Sequence, residues 1–233
     1  MRLLLISNST NRGEEYLGWC KEEIKAFLGE KPVNALFIPY AGVTFSFDEY
    51  EAKVEKRFAE AGHHVRGVHK AKDALKAVEE AEAIVVGGGN TWQLVRMLHD
   101  NRLFAAIRRK VRSGTPYVGW SAGSNIACPT LRTTNDMPII DPKTFKTLNL
   151  IPFQINPHYL DVHPEGHGGE TREDRIREFI EINPDVNVLG LREATLLRLE
   201  DNHLELKGKR SARLFRKGNE PKELSAGDLS FLL

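Results

Sequence analysis

Short apolar runs at residues 3–7, 35–39, 65–68, 83–86, 117–120, 153–156 and 186–191 are mostly separated by charged, amphipathic segments of helical length. The runs are rich in Val, Ile, Leu and Phe, and most do not alternate polar with apolar residues. Strands covered on both faces read this way, because neither side of the pleat meets water. The intervening segments are 14–28, 47–61, 72–81, 92–98, 104–111 and 173–180. Within 47–61, Phe47, Tyr50, Val54, Phe58 and Ala61 recur at three- and four-residue steps, forming one apolar helical stripe among acids and bases. This rhythm predicts an α/β fold with a mostly parallel sheet flanked by helices and right-handed crossovers.

The tail changes character. Residues 195–206 read as two short strands around Asp201-Asn202, and residues 211–224 repeat the pattern around Gly218-Asn219. Both are expected to be antiparallel hairpins. No Pro/Ser/Gly-rich linker precedes them, so residues 1–233 are expected to form one domain, with 195–233 as its hairpin tail.

Charge narrows the partners. The chain has 33 Lys+Arg against 32 Asp+Glu, a net +1, which leaves no broad field for a polyanion or an anionic membrane. Two cysteines, Cys20 and Cys128, suit neither a disulfide framework nor a zinc site. The apolar run after Met1-Arg2 stops at Ile6, too short for a signal peptide or a membrane span. A cytoplasmic protein without nucleic-acid or membrane partners is expected, as a monomer or homodimer.

In open α/β sheets, ligands bind beyond the carboxyl ends of the strands. Those ends here carry Ser7-Asn8-Ser9-Thr10, Pro39-Tyr40-Ala41-Gly42, Gly87-Gly88-Gly89-Asn90, Ser121-Ala122-Gly123, Asn156-Pro157-His158 and Glu193. Gly119-Trp120-Ser121-Ala122-Gly123 is a G-x-S-x-G sequence between an apolar run and a helical segment. A sharp strand-to-helix turn there lifts the serine hydroxyl to the sheet edge and offers the next backbone N–H to an oxyanion. Ser121 is therefore the candidate nucleophile.

Serine needs a base, usually histidine, oriented by an acid. Of eight histidines, His158 alone leaves an apolar run beside a proline, which is expected to end the strand and turn the ring into the crevice. Glu193 and Asp136 are the candidate acids; the rigid strand end favours Glu193, and Asp136 can instead orient substrate. Gly87-Gly88-Gly89-Asn90-Thr91 offers successive N–H groups at a strand end, a nest for an anion. Beside a serine elbow, the oxyanion of a tetrahedral intermediate is its expected occupant. His158, His163 and His167 with Glu165 and Glu170 suggest a metal, but Pro164, Gly166, Gly168 and Gly169 break any aligning helix, so no metal or cofactor is expected. Arg172 follows in an expected first helical turn, a place unfavourable to a cation unless it binds something.

Together these residues resemble peptidase E, a family of aspartyl dipeptidases with a fold similar to class I glutamine amidotransferases. The resemblance rests on residues 5–10, 37–44, 86–91, 119–125, 132–138 (Arg-Thr-Thr-Asn-Asp-Met-Pro), 154–158 and 164–172, and it runs in register to about residue 193. It implies hydrolysis of dipeptides with an N-terminal aspartate by a Ser121–His158–Glu193 triad. The family's essential aspartate corresponds to Asp136. Gly89 and Ala122, with Gly88 alongside, would supply the oxyanion N–H groups. Arg172 would bind the substrate aspartate, with Asn90 and Glu170 on the substrate side and Asp136 or Glu170 for its amine. The family often has glycine after the glutamate, where this chain has Ala194. Rival readings are a cyanophycinase-like enzyme for β-aspartyl linkages and a non-enzymatic nucleotide- or anion-binding module. A class I amidotransferase is disfavoured, because the elbow carries serine and not cysteine.

Overall fold

The computed structural model describes residues 1–161 and 168–233. In chain order the elements are β1 (Leu3–Ile6), α1 (Lys21–Leu28), β2 (Asn34–Ile38), α2 (Phe47–Glu60), β3 (His64–Gly67), α3 (Ala74–Glu80) and β4 (Ala83–Val86). Next come α4 (Thr91–Asp100), α5 (Leu103–Arg112), β5 (Tyr117–Trp120), α6 (Ala122–Asn125), β6 (Gln154–Tyr159), α7 (Arg172–Ile182) and β7 (Val188–Arg192). The chain closes with β8 (Thr195–Glu200), β9 (His203–Gly208), β10 (Ala212–Phe215), β11 (Lys222–Leu224) and β12 (Gly227–Asp228).

Eight strands form a sheet in the order β12-β9-β8-β1-β5-β4-β2-β3. From β1 to β3 every pairing is parallel, while β8, β9 and β12 continue the other side antiparallel. Side chains alternate between two cores. Leu3 and Leu5 of β1 enter a cluster with Leu94, Leu98 and Ile107, while Leu4 and Ile6 enter one with Ile24, Phe27, Val54 and Phe58. An apolar stretch with no polar face results, as the sequence pattern implied. Of the α2 stripe, Tyr50, Val54 and Phe58 enter the second cluster while Phe47 packs against the first. Ser46 with Glu49 closes a capping box at the helix start, a motif worth about 1 kcal/mol.

The structure divides the strands into two sheets. A second sheet, β11-β10-β7-β6, pairs β6 with β7 in parallel and receives β10 antiparallel on β7. Each predicted hairpin forms, but they part company: β8 joins β1, whereas β10 joins β7. Hydrophobic runs cannot say which sheet a strand will enter, because both environments bury it. Residues 14–28 are helical only from Lys21, after a 3-10 turn at Gly18–Cys20 that follows Leu17 at φ 53°. Among the described residues, no helix is long and apolar enough to cross a membrane.

Candidate active site

Ser121 sits between β5 and α6 with φ 52° and ψ −111°, a conformation that strains a side-chain-bearing residue. The turn is tight enough that a Cβ on Gly123 would collide with the Val86 carbonyl. Its backbone is pinned from below. Ser121 N–H donates to the Ile6 carbonyl at 3.0 Å, and the Ser124 hydroxyl lies 2.7 and 2.8 Å from the Ile6 and Gly119 carbonyls. The hydroxyl of Ser121 is thereby raised at the edge of the large sheet.

The partner histidine comes from the small sheet. His158 Nε2 lies 3.0 Å from Ser121 Oγ, and His158 Nδ1 lies 2.8 Å from Glu193 Oε1. Glu193 accepts only, so the ring proton sits on Nδ1 and Nε2 is free to take the serine proton. Proline at 157 does not end the strand, contrary to expectation: β6 runs to Tyr159, and His158 occupies a bulge at φ 53°. The bulge, not strand termination, turns the ring toward Ser121. Ser7 couples the sheets here, donating to the Leu191 carbonyl at 2.7 Å while accepting the His158 N–H at 3.0 Å. Ala194 takes the left-handed φ of 62° that glycine would adopt more readily, and its N–H donates to Asn8 Oδ1 at 2.8 Å.

Among the described residues the His158 ring bonds to Ser121 and Glu193 and not to Asp136. Asp136 Oδ2 accepts from the Thr91 N–H at 2.7 Å and from the hydroxyls of Thr91 and Thr134 at 2.6 and 2.9 Å. Thr91 opens α4, so the carboxylate also faces the positive end of a helix. Among the described residues, no donor pairs with Oδ1. Asp136 shares with Ser121, His158, Glu193 and Arg172 the lining of a cavity of about 360 Å³. Arg172 is half-buried at the first position of α7, behind the Thr171–Asp174 capping box, and makes no ion pair with the described residues. Burial and the nearby Arg175 lower its pKa, while Asp136 raises it. A guanidinium there remains charged and open to a carboxylate.

A second cavity of about 560 Å³ shares Ser121 and His158 with the first. Tyr16, Phe45, Tyr50 and Trp120 form aromatic walls, and Lys53 stands at its margin with its amine 4.1 Å from the centre of the Tyr16 ring. Gly88 and Gly89 also line it. The N–H groups of Gly88, Gly89 and Ala122 have no acceptor among the described residues. Gly89 has φ 132°, and a Cβ there would strike the Ala41 carbonyl, so only glycine fits.

Other residues singled out by sequence lie elsewhere. Asn90 is committed to structure, its Oδ1 capping α4 through Gln93 N–H at 3.1 Å and its Nδ2 donating to the Met137 carbonyl at 2.9 Å. Glu170 is exposed, 3.8 Å from Arg175 Nε, and lines neither cavity. His163, Pro164, Glu165, Gly166 and His167 lie outside the described residues. Cys128 is buried, its thiol pushed up to about 12 by burial, away from the serine elbow chemistry. Asp48, Glu51 and His69 gather closely away from both cavities, and the Lys70 amine already stands 2.9 Å from both carboxylates, offsetting part of their charge.

The sequence reading places Thr91 only in the backbone nest and Thr134 only within the 132–138 motif, and gives Lys53 and Tyr50 no role at this site. Tyr50 was assigned to a core stripe by its spacing; its hydroxyl, alone on an otherwise apolar stripe, was the available signal.

Residues 3–207 match the model of Peptidase family S51. A protein of Nostoc sp. named peptidase E is 50% identical over 233 residues, covering 100% of this chain and 96% of the relative. One of Streptomyces coelicolor with the same name is 52% identical over 237 residues, covering 100% and 95%. A peptidase from an acI-B1 actinobacterium, solved by crystallography, shares the fold with a TM-score of 0.69 at 19% identity, covering 97% of this chain and 94% of its own. The chain belongs to peptidase family S51 and is a peptidase.

Proposed function

We propose that this S51 peptidase is a serine dipeptidase that hydrolyses Asp-Xaa dipeptides through an acyl-enzyme on Ser121. The observation that carries the reading is the continuous Ser121–His158–Glu193 contact set between a polar cavity holding Asp136 and Arg172 and an aromatic one. Ser121 Oγ attacks the peptide carbonyl while His158 Nε2 takes its proton, and Glu193 stabilises the imidazolium. The N–H groups of Gly88, Gly89 and Ala122 receive the oxyanion. The imidazolium then protonates the leaving amine, which departs as the second amino acid. Water, deprotonated by His158, attacks the ester, and the proton returns to Ser121 as aspartate leaves.

The cavities divide the substrate. Arg172 pairs with the aspartate side chain, and Oδ1 of Asp136 accepts from its α-ammonium group. The second residue lies against Tyr16, Phe45, Tyr50 and Trp120, with Lys53 near its carboxylate. This chemistry needs no cofactor, nucleic acid or membrane. The cytoplasm suits the reading, as does either a monomer or a homodimer. The high identity to proteins named peptidase E does not favour the β-aspartyl or nucleotide-binding alternatives.

The test is hydrolysis of Asp-Leu beside Glu-Leu, Asn-Leu, N-acetyl-Asp-Leu and β-Asp-Leu, with Ser121→Ala as the control. Cleavage of Asp-Leu alone, abolished by Ser121→Ala, is expected. Activity surviving that substitution, or confined to β-Asp-Leu, refutes the proposal.

A further inference from the structure

Tyr50 lies on α2, 4% exposed, with its hydroxyl between the glycine loop and the serine elbow. It stands 2.8 Å from the Gly88 carbonyl, 3.2 Å from Trp120 Nε1 and 3.2 Å from the Tyr16 hydroxyl. The direction of each bond is forced. A carbonyl only accepts and an indole N–H only donates, so the single Tyr50 proton goes to Gly88 while Trp120 and Tyr16 donate to its oxygen. The phenol's proton and oxygen are thus engaged, and burial pushes its pKa up to about 12, so it keeps that proton. Access depends on the glycine before: a Cβ on Gly87 would stand 2.5 Å from the Tyr50 hydroxyl oxygen.

The Gly88 carbonyl belongs to the same rigid peptide unit as the Gly89 N–H, and in a trans peptide the two point in opposite directions. A peptide flanked by glycines rotates more freely than any other, because neither neighbour brings a Cβ to block it. The glycines that let the loop approach Ala41 and Trp120 therefore also remove its own restraint on that plane. We propose that Tyr50 is a positioning residue that aims the Gly89 N–H at the oxyanion by holding the Gly88 carbonyl on the opposite edge of the shared peptide plane. Through Trp120, which immediately precedes Ser121, the same hydroxyl ties the glycine loop to the nucleophile's own strand. The inference rests on the dipeptidase reading, and in particular on Gly89 as an oxyanion donor.

The experiment is Tyr50→Phe, which keeps the ring and removes the one donor. Steady-state kinetics on Asp-Leu are compared with inhibition by aspartate, a ground-state ligand, and by the boronic-acid analogue of aspartate. The boronic acid forms a tetrahedral adduct with serine and places an oxygen in the oxyanion position. Losing one oxyanion donor outright typically costs about 10²–10³ in kcat. Loosening one is expected to cost about tenfold, with KM and the aspartate Ki within twofold of wild type. The boronate Ki is expected to weaken by the same factor as kcat. Inhibition constants do not depend on the fraction of folded enzyme, so partial unfolding of the variant cannot imitate this pattern. An unchanged kcat or boronate Ki overturns the role, and so does a parallel loss in boronate and aspartate binding, which marks simple packing. A wild-type enzyme inert to Asp-Leu overturns the dipeptidase reading and this role with it; an active one insensitive to Tyr50→Phe overturns the role alone.

Discussion

Glu193 Oε1 stands 2.8 Å from His158 Nδ1, while Asp136 has its Oδ2 committed to Thr91 and Thr134. Two acids that the sequence left as alternatives therefore occupy different chemical positions, one behind the imidazole and one lining the polar cavity. Glu193→Gln is expected to lower kcat for Asp-Leu by about 10²–10⁴-fold with little change in KM, because the amide favours the wrong tautomer. Asp136→Asn is expected to act mainly through KM. Steady-state kinetics on both variants separates the assignments.

Arg172 lines the polar cavity and has no ion-pair partner among the described residues. Hydrogen bonds to charged groups are worth about 1.5–3 kcal/mol, so Arg172→Met is expected to raise KM for Asp-Leu by about 10- to 150-fold. The preference for Asp-Leu over Asn-Leu should collapse with it, since the discriminating charge is gone. Retained discrimination would place the aspartate side chain elsewhere.

Lys53 faces the aromatic cavity, and among the described residues its amine has no carboxylate partner. Lys53→Met keeps most of the stem against Tyr16 and removes the charge. KM for Asp-Leu is expected to rise by up to about fivefold, given that exposed ion pairs contribute about 0.2–1 kcal/mol. Aspartyl p-nitroanilide has no carboxylate on its leaving group and should be unaffected. Equal effects on both substrates would refute the contact.

Gly89 combines φ 132° with a close approach to the Ala41 carbonyl. Gly89→Ala is expected to displace the loop, with a loss of stability of about 1–3 kcal/mol and a kcat loss of at least tenfold. Thermal unfolding measured beside kinetics checks both.

Behind the site, Arg192 holds Asp161 and Glu223, with Nε 2.7 Å from Asp161 Oδ2 and Nη1 2.8 Å from Glu223 Oε2. Hydrogen bonds from Arg192 lower both carboxyl pKa values below 3.8 and 4.5. Depressed folded-state values contribute stability above the unfolded pKa that disappears as pH falls through the folded one. The melting temperature is therefore expected to decline below about pH 4.5, and less steeply in Glu223→Gln. Melting curves from pH 7 to pH 3 measure the difference.

Much of this was legible in the chain. The apolar runs gave strand identity because both faces of the large sheet are covered, and the Gly-x-Ser-x-Gly turn announced its own geometry through residues that must lack a Cβ. Sheet membership was not legible, since β6 and β7 carry the same apolar signature as β1 and β5. Nor was the His158 bulge, which depends on a pairing slip between β6 and β7 rather than on Pro157. Tyr50 escaped because spacing reports burial, whereas its contribution depends on where one hydroxyl meets a distant loop.

The contact set at the site crosses a seam. Ser121 follows β5 of one sheet, while His158 and Glu193 ride on β6 and after β7 of the other, and Ser7 bridges the two. Relative slippage of the sheets would separate Ser121 from His158 while sparing the His158–Glu193 pair, which moves as a unit. Catalytic competence is thus a gauge of inter-sheet registry: mild heat or denaturant should silence the enzyme before its secondary structure melts, and reversibly so.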